Sequence, residues 1–239
     1  MRALILNSGI GKRMGELTKT KNKCMAQIGA DTAIIDWQLK MLETAGISDV
    51  VMTTGPFAED LTKYVTKRHP DVSFTFCRNP EYDRTNYIYS IALAADELSD
   101  DILLMHGDLV FEESVIRGIL DAETSAMAVD RTLPLPEKDF KAVVSKGKIQ
   151  KVGIEFFEQA YAAQPLYKLL KKDWSVWLDE ILKFCGEGNR SVYAENALNG
   201  VSDRLEIRPY DVAGGVCMEV DNLDDLEKAR ELFEKMSAL

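Results

Sequence analysis

The feature that most constrains the fold is a rhythm. Over its first 120 residues the chain alternates short apolar runs with segments of helical periodicity. Ala3–Leu6 is apolar and runs into a glycine turn, which predicts a buried strand. Residues 31–45 carry Ile34, Ile35, Trp37, Leu39, Met41 and Leu42 at helical spacing, with Gly46 as a stop. A strand follows over 49–54, a helix over 58–68 ending near Pro70, and a strand over 72–77. A helix over 86–98 and an apolar strand over 101–108, ending on a carboxylate, complete the series. Such alternation predicts an α/β fold: a three-layer, Rossmann-like, mixed but mostly parallel sheet.

Beyond residue 120 the rhythm breaks. "SAMAVD" reads as a strand, 142–154 as a hairpin turning at Lys146–Lys148, and 160–185 as a helix interrupted near Pro165 and Trp174. Two late strands, "LEIRPYDV" and "GGVCMEVD", precede an amphipathic helix over 222–236 with Asn222 as its cap. No repeat and no linker rich in Pro, Gly or Ser divides the 239 residues. The expectation is one domain over 1–239, with a regular first half (1–120) and an elaborated second half (121–239).

Charge narrows the partners. The formal charge is -10, and the cations cluster only between Lys12 and Lys23. Nucleic acid and anionic membrane would repel most of such a surface, whereas a local basic patch suits a small anion. The four cysteines and two histidines form no zinc-ligand spacing, so reduced thiols are expected. Only four apolar residues separate Arg2 from Asn7, and no run approaches membrane-spanning length, so the expected location is the cytoplasm.

The glycine turn, "NSGIGKR", exposes backbone N–H groups to a phosphate. It is neither common phosphate motif: Met14 stands where a dinucleotide fingerprint needs its third glycine, and Arg13 where a P-loop needs Ser or Thr. Cations follow it instead, at Lys12, Arg13 and Lys23, as a triphosphate requires; Lys19 and Lys21 read as ordinary surface charge.

With these residues in view the chain resembles the nucleotidyltransferase superfamily, and within it the bacterial cytidylyltransferases acting on phosphocholine and 2-aminoethylphosphonate. The opening run "ALILNSGIGKRMGELTKTKNKCMAQIGADTAIIDWQL", then "TNYIYSIALA", "LLMHGDLVF", "VYAENAL" and "CMEVDNLDDLEKA" match in order. Two departures stand out. Asn7 and Ser8 replace two alanines, and Asn22 replaces the proline before the family's lysine, which removes a fixed φ ahead of Lys23.

The resemblance implies transfer of CMP from CTP to a phosphate or phosphonate bearing an amino group, with release of pyrophosphate. It implies Lys23 and Arg13 as catalytic cations. Leu6, Asn7, Ser8, Gly9, Gly11 and Lys12 would bind the nucleotide with them, and Asn86 and Ser90, one helical turn apart, would reach the base or ribose. Asp108 and Asp221 would hold Mg2+. For the acceptor it points to Lys23, Tyr193, Glu195 and Asn196, with Trp174 among six second-half aromatics that could face a cation. His106 shares the strand face of Asp108, where a packed histidine is the expectation. The expected partners are thus CTP and a small zwitterion, without nucleic acid or membrane, a homodimer being one assembly open to the chain. Two alternatives stand beside this reading: a sugar-1-phosphate nucleotidyltransferase using UTP, dTTP or GTP, and a non-catalytic nucleotide-binding domain. A glycosyltransferase of related fold would need a D-x-D that is not clear here.

Overall fold

The computed structural model describes residues 1–237. Eleven strands are defined among them: β1 (Arg2–Asn7), β2 (Asp49–Thr54), β3 (Ser73–Arg78), β4 (Ile102–His106), β5 (Leu109–Phe111), β6 (Ser125–Asp130), β7 (Lys141–Ser145), β8 (Lys148–Gly153), β9 (Ala160–Leu169), β10 (Ile207–Asp211) and β11 (Cys217–Glu219). The helices are α1 (Ile34–Thr44), α2 (Ala58–Arg68), α3 (Tyr87–Leu93), α4 (Glu113–Asp121), α5 (Lys171–Gly186), α6 (Ala194–Val201) and α7 (Leu223–Ser237).

Seven strands run across the main sheet in the order β10-β6-β9-β4-β1-β2-β3, and the β7–β8 hairpin joins it through β9. β1, β2, β3 and β4 are parallel, as are β6 and β10. Buried on both faces, the parallel strands read as continuous apolar runs. β1 shows the division: Ala3 and Ile5 enter a core beneath α1, α2, α4 and α7, while Leu4 and Leu6 enter a second beneath α3, α5 and α6. Helices on both faces of a mixed sheet make the three layers the alternation predicts. β5 and β11 pair as a small separate ribbon.

One expectation fails. Residues 160–169 form β9 rather than the start of a helix, and α5 begins only at Lys171. β9 lies antiparallel between β4 and β6, buried on both faces, so it has no polar-apolar alternation to mark it. Its Pro165 falls where the register with β6 shifts, between the Tyr167–Met127 and Ala163–Val129 pairs, as a residue without an N–H requires. The hairpin expectation holds, with Lys146 and Gly147 both at positive φ in the turn. Asn222 caps α7 as expected, its Oδ1 accepting from the N–H of Asp224 and Asp225. All four cysteines are free. No helix among the described residues is long and apolar enough to cross a membrane.

Candidate active site

The strand order fixes where a ligand can enter. From β1 the chain moves outward to β2 and β3, then returns to place β4 on the opposite side of β1. At such a switch point the loops leaving adjacent strands diverge, opening a crevice beyond their carboxyl ends. The loop 8–11 leaves β1 there, and Gly107–Asp108 leaves β4. Gly107 donates to Leu6 O at 3.0 Å and packs so closely on Asn7 that a Cβ would stand 1.7 Å from Asn7 Oδ1. Gly11 has φ +69°, where a Cβ would also press on Thr18 and on Lys23 at 3.2 Å. Glycine at 11 therefore lets the loop fold down onto Lys23.

Charge converges on that lysine. Lys23 Nζ lies 2.6 Å from Asp108 Oδ2 and 2.8 Å from Asp221 Oδ1, and the Arg13 guanidinium reaches the same Asp221 oxygen at 2.8 Å. Burial pushes the Lys23 pKa down, but the two carboxylates outweigh it and hold the ammonium above the ordinary lysine range. Asn22 shows what replaces the missing proline: its Nδ2 donates to Asn7 O at 2.9 Å and its Oδ1 accepts from Cys24 N at 3.2 Å. Hydrogen bonds at both ends of this side chain position the segment that carries Lys23.

Three adjoining clefts meet at Asp108. The first, about 270 Å³, is lined by Leu6, Asn7, Gly9, Gly11, Lys12, Arg13, Lys23, Asp108 and Asp221 among others. The second, about 160 Å³, is lined by Ser8, Gly9, Asn79, Tyr82, Asn86, Tyr87 and His106 among others. Asn86 reaches it as the cap of α3, its Oδ1 accepting from Tyr87 N at 2.7 Å. Ser90 lies behind the lining, fully covered, and acts on the cleft through Ser8, with the two hydroxyls 2.6 Å apart and Asn79 Nδ2 donating to Ser90 at 2.9 Å. The structure therefore brings the expected phosphate-side residues and Asn86 into one crevice, with Ser90 one layer out.

The third cleft, about 370 Å³, extends from Asp108 and Asp221 past His106 and Glu219 to Tyr87, Phe140 and Tyr193, with Lys138 and Asp139 also in its lining. Of the acceptor-side candidates, only Tyr193 lines it; Lys23 adjoins it through its partners Asp108 and Asp221. Asn196 and Glu195 line a smaller neighbouring cavity of about 50 Å³. Asn196 lies in the first turn of α6, its Oδ1 accepting at 3.1 Å from the N–H of Tyr193, the residue that caps the helix. Glu195 is 2% exposed, and both carboxylate oxygens are engaged, one by Tyr87 Oη and the other by Tyr167 Oη at 2.9 Å. Burial, with Glu195 adding to it, pushes both phenols well above the ordinary tyrosine range. Glu195 thus holds Tyr87 in the wall instead of presenting a free carboxylate.

Trp174 is corrected outright. It is 0% exposed in the core under α5, packs edge-on against Trp177, and donates its indole N–H to Leu98 O at 2.8 Å. It lines none of these clefts. His106, expected as a packed histidine, takes its place together with Glu219, which the sequence did not single out. His106 Nδ1 bonds Glu219 Oε1 at 2.9 Å, and the His106 ring meets Tyr87 at 4.9 Å between centroids. Burial lowers the His106 pKa, yet the bond to Glu219 overrides it and lifts the value to about 9. The one signal available was spacing: Glu219 precedes Asp221 by two residues just as His106 precedes Asp108.

A glycine-opened, cation-lined crevice at a sheet switch point, with a lysine between two carboxylates, defines the nucleotidyltransferase class of α/β fold. The chain belongs to the MobA-like NTP transferase domain family, whose profile matches residues 3–197. It is similar to the CTP:phosphoglutamine cytidylyltransferase of Campylobacter jejuni, 30% identical over 55% of this chain and 53% of that protein. The 2-aminoethylphosphonate cytidylyltransferase of Lancefieldella rimae is 32% identical over 48% of this chain and 45% of that one. These two matches span about half the length of each relative. The choline-phosphate cytidylyltransferase of Streptococcus pneumoniae is 23% identical over 98% of this chain and 99% of its own length. Among solved structures, the CTP:phosphocholine cytidylyltransferase from Streptococcus pneumoniae superposes with TM-score 0.80 at 20% identity, over 97% of this chain and 98% of that one. A UDP-glucose pyrophosphorylase does so with TM-score 0.79 at 15% identity, over 98% of each chain. At such identities the structural likeness defines the fold.

Proposed function

We propose that the protein is a cytidylyltransferase that transfers CMP from CTP to a phosphate or phosphonate bearing an amino group. The observation that carries the reading is the position of Lys23, an ammonium that lines the phosphate cleft and is paired with Asp108 and Asp221, the two carboxylates that also line the acceptor-side cleft. The relatives' shared use of CTP and of phosphate or phosphonate acceptors supports the choice of substrates.

In the reaction an acceptor oxygen forms a bond to the α-phosphorus of CTP. The bond from that phosphorus to the oxygen bridging to the β-phosphate breaks, and pyrophosphate carries the electron pair away. Both reactants are anions, so positioning and charge stabilisation do the work and no side-chain nucleophile is needed. Lys23 would meet the α-phosphate and the incoming anion together. Arg13 and Lys12, at the mouth of the glycine loop, suit the departing β- and γ-phosphates. Asn7, Ser8 and Asn86 line the side on which the nucleoside would rest.

Asp108 and Asp221 fit a divalent cation. Their carboxylates converge on one ammonium, and Asp108 Oδ1 is buried without a hydrogen-bond partner. Bound by these two, Mg2+ would neutralise triphosphate oxygens and act as a Lewis acid toward the α-phosphate.

Pyrophosphate release with CTP, Mg2+ and an amino-bearing phosphate or phosphonate tests the proposal. Lys23→Ala is expected to lower kcat/KM by about a hundredfold or more, the scale of a lost transition-state charge contact. Full activity in that variant, or turnover confined to UTP, dTTP or GTP with a sugar 1-phosphate, would overturn it.

A further inference from the structure

The third cleft combines two features that bear on which amino head it takes. Its aromatic residues form a contiguous corner. Phe140 and Tyr193 meet edge to face at 4.9 Å between centroids, and Tyr193 meets Tyr87 at 5.9 Å. The three rings are contiguous, so they wall one part of the cleft and leave the rest of its lining to polar groups, among them His106, Glu219 and Asp139.

The second feature is His106. Glu219 engages its Nδ1 at 2.9 Å, and because a carboxylate only accepts, the proton on that side resides on Nδ1. His106 Nε2 is buried and has no hydrogen-bond partner, in a side chain that lines both the nucleoside-side and the acceptor-side clefts. Whether neutral or protonated, this nitrogen is a hydrogen-bonding atom, an acceptor in one state and a donor in the other. A quaternary ammonium can serve neither state, and a buried polar atom left unpaired carries an uncompensated desolvation cost. An amino, carboxylate or carboxamide group satisfies it.

Resting on the cytidylyltransferase reading, we propose that His106, positioned by Glu219, is a specificity-determining residue that selects acceptors whose head group forms hydrogen bonds and discriminates against quaternary ammonium heads. Tyr87, Phe140 and Tyr193 pack against the alkyl part of such a head, and Asp139 stands in the same lining.

Two matched pairs that differ only in N-methylation provide the test: phosphoethanolamine against phosphocholine, and 2-aminoethylphosphonate against its N-trimethyl analogue. O-phosphoserine adds a carboxylate to the same head and distinguishes an oxygen partner from a nitrogen one. With CTP and Mg2+ the wild-type enzyme is expected to favour the unmethylated member in kcat/KM by about tenfold or more. His106→Phe brings the ratio to near unity. Glu219→Ala does the same, whereas Glu219→Gln, which keeps an acceptor for Nδ1, retains the preference. Equal or better use of the methylated acceptors by the wild type overturns the proposal, as does a preference that survives in His106→Phe.

A binding readout separates this from failure of the underlying function. The chain has two histidines, His69 and His106, so the imidazole 15N resonances are assignable with one variant. The His106 Nε2 resonance should shift with phosphoethanolamine or O-phosphoserine and not with phosphocholine. That result supports the proposal even if no acceptor is turned over with CTP, an outcome that would remove the cytidylyltransferase reading alone. An equal response to all three, or to none, removes the proposal.

Discussion

Gly107 sets the tightest tolerance in the crevice, because the chain passes Asn7 with no room for even one carbon. Gly107→Ala should push Asn7 and the end of β1 out of place and destabilise the fold by about 1–3 kcal/mol. Thermal unfolding would show the loss, and a raised KM for CTP would show that the displaced residues belong to the nucleotide cleft. Single residues also show how far sequence reasoning reaches into a site. Gly11, Arg13, Lys23, Asp108 and Asp221 stand in ordered motifs, and the fold brings them together. Asn22 was legible only as the loss of a proline, since its bonds to Asn7 and Cys24 depend on loop geometry. The His106–Glu219 pair joins residues 113 apart on two different sheets, and no local pattern announces such a partnership.

At the scale of elements, most strands and helices of the first half follow their periodicity because each buries a face of standard width. β9 does not, because burial on both sides erases the alternation and its Ala, Leu and Lys content equally suits a helix. Trp174 was misplaced for a related reason: an aromatic at helical spacing looks the same whether the helix turns it to a ligand or to the core. Trp174→Ala should cost about 3–5 kcal/mol of stability by leaving a cavity. Chemical denaturation should register that loss while KM values for both substrates stay near wild type.

Between α1 and α2 a different device operates. Asp36, nearly buried, accepts from Ala33 N at 2.8 Å, Tyr64 Oη at 2.6 Å and Arg68 Nε at 2.9 Å, with His69 Nε2 at 3.1 Å. Burial alone would raise its pKa, but these partners together lower it from 3.8 to about 2. A depressed carboxylate stabilises the fold above its unfolded pKa, and that contribution fades as pH falls from about 4 toward 2. Asp36→Asn should therefore be less stable than wild type at pH 7 by on the order of 1–2 kcal/mol, with the gap closing in acid. Urea titrations at pH 7 and near pH 3 measure both arms.

For the whole molecule, the alternation of the first 120 residues determined the parallel half of the sheet and, through it, the switch point between β1 and β4. It could not determine how the second half attaches. β9 is paired to β4 of the first half of the chain on one edge and to β6 of the second half on the other. One continuous sheet therefore carries both halves, which explains why no linker appears in the sequence.

The cluster at Lys23 also has an electrostatic consequence for the molecule. Asp108 and Asp221 contribute two negative charges to one crevice, and Lys23 and Arg13 answer them with two positive charges covalently part of the same chain. The protein carries its own counterions, so the fold is expected to hold without a dissolved metal, whatever the chemistry requires. Exhaustive chelation with EDTA is expected to shift the Tm by no more than about 2 °C, equivalent to about 1 kcal/mol or less for a chain of this length. A larger fall would mean that the lysine and arginine do not balance these carboxylates. Electroneutrality built in this way would let the enzyme wait, fully assembled, for a nucleotide to arrive with its own cation.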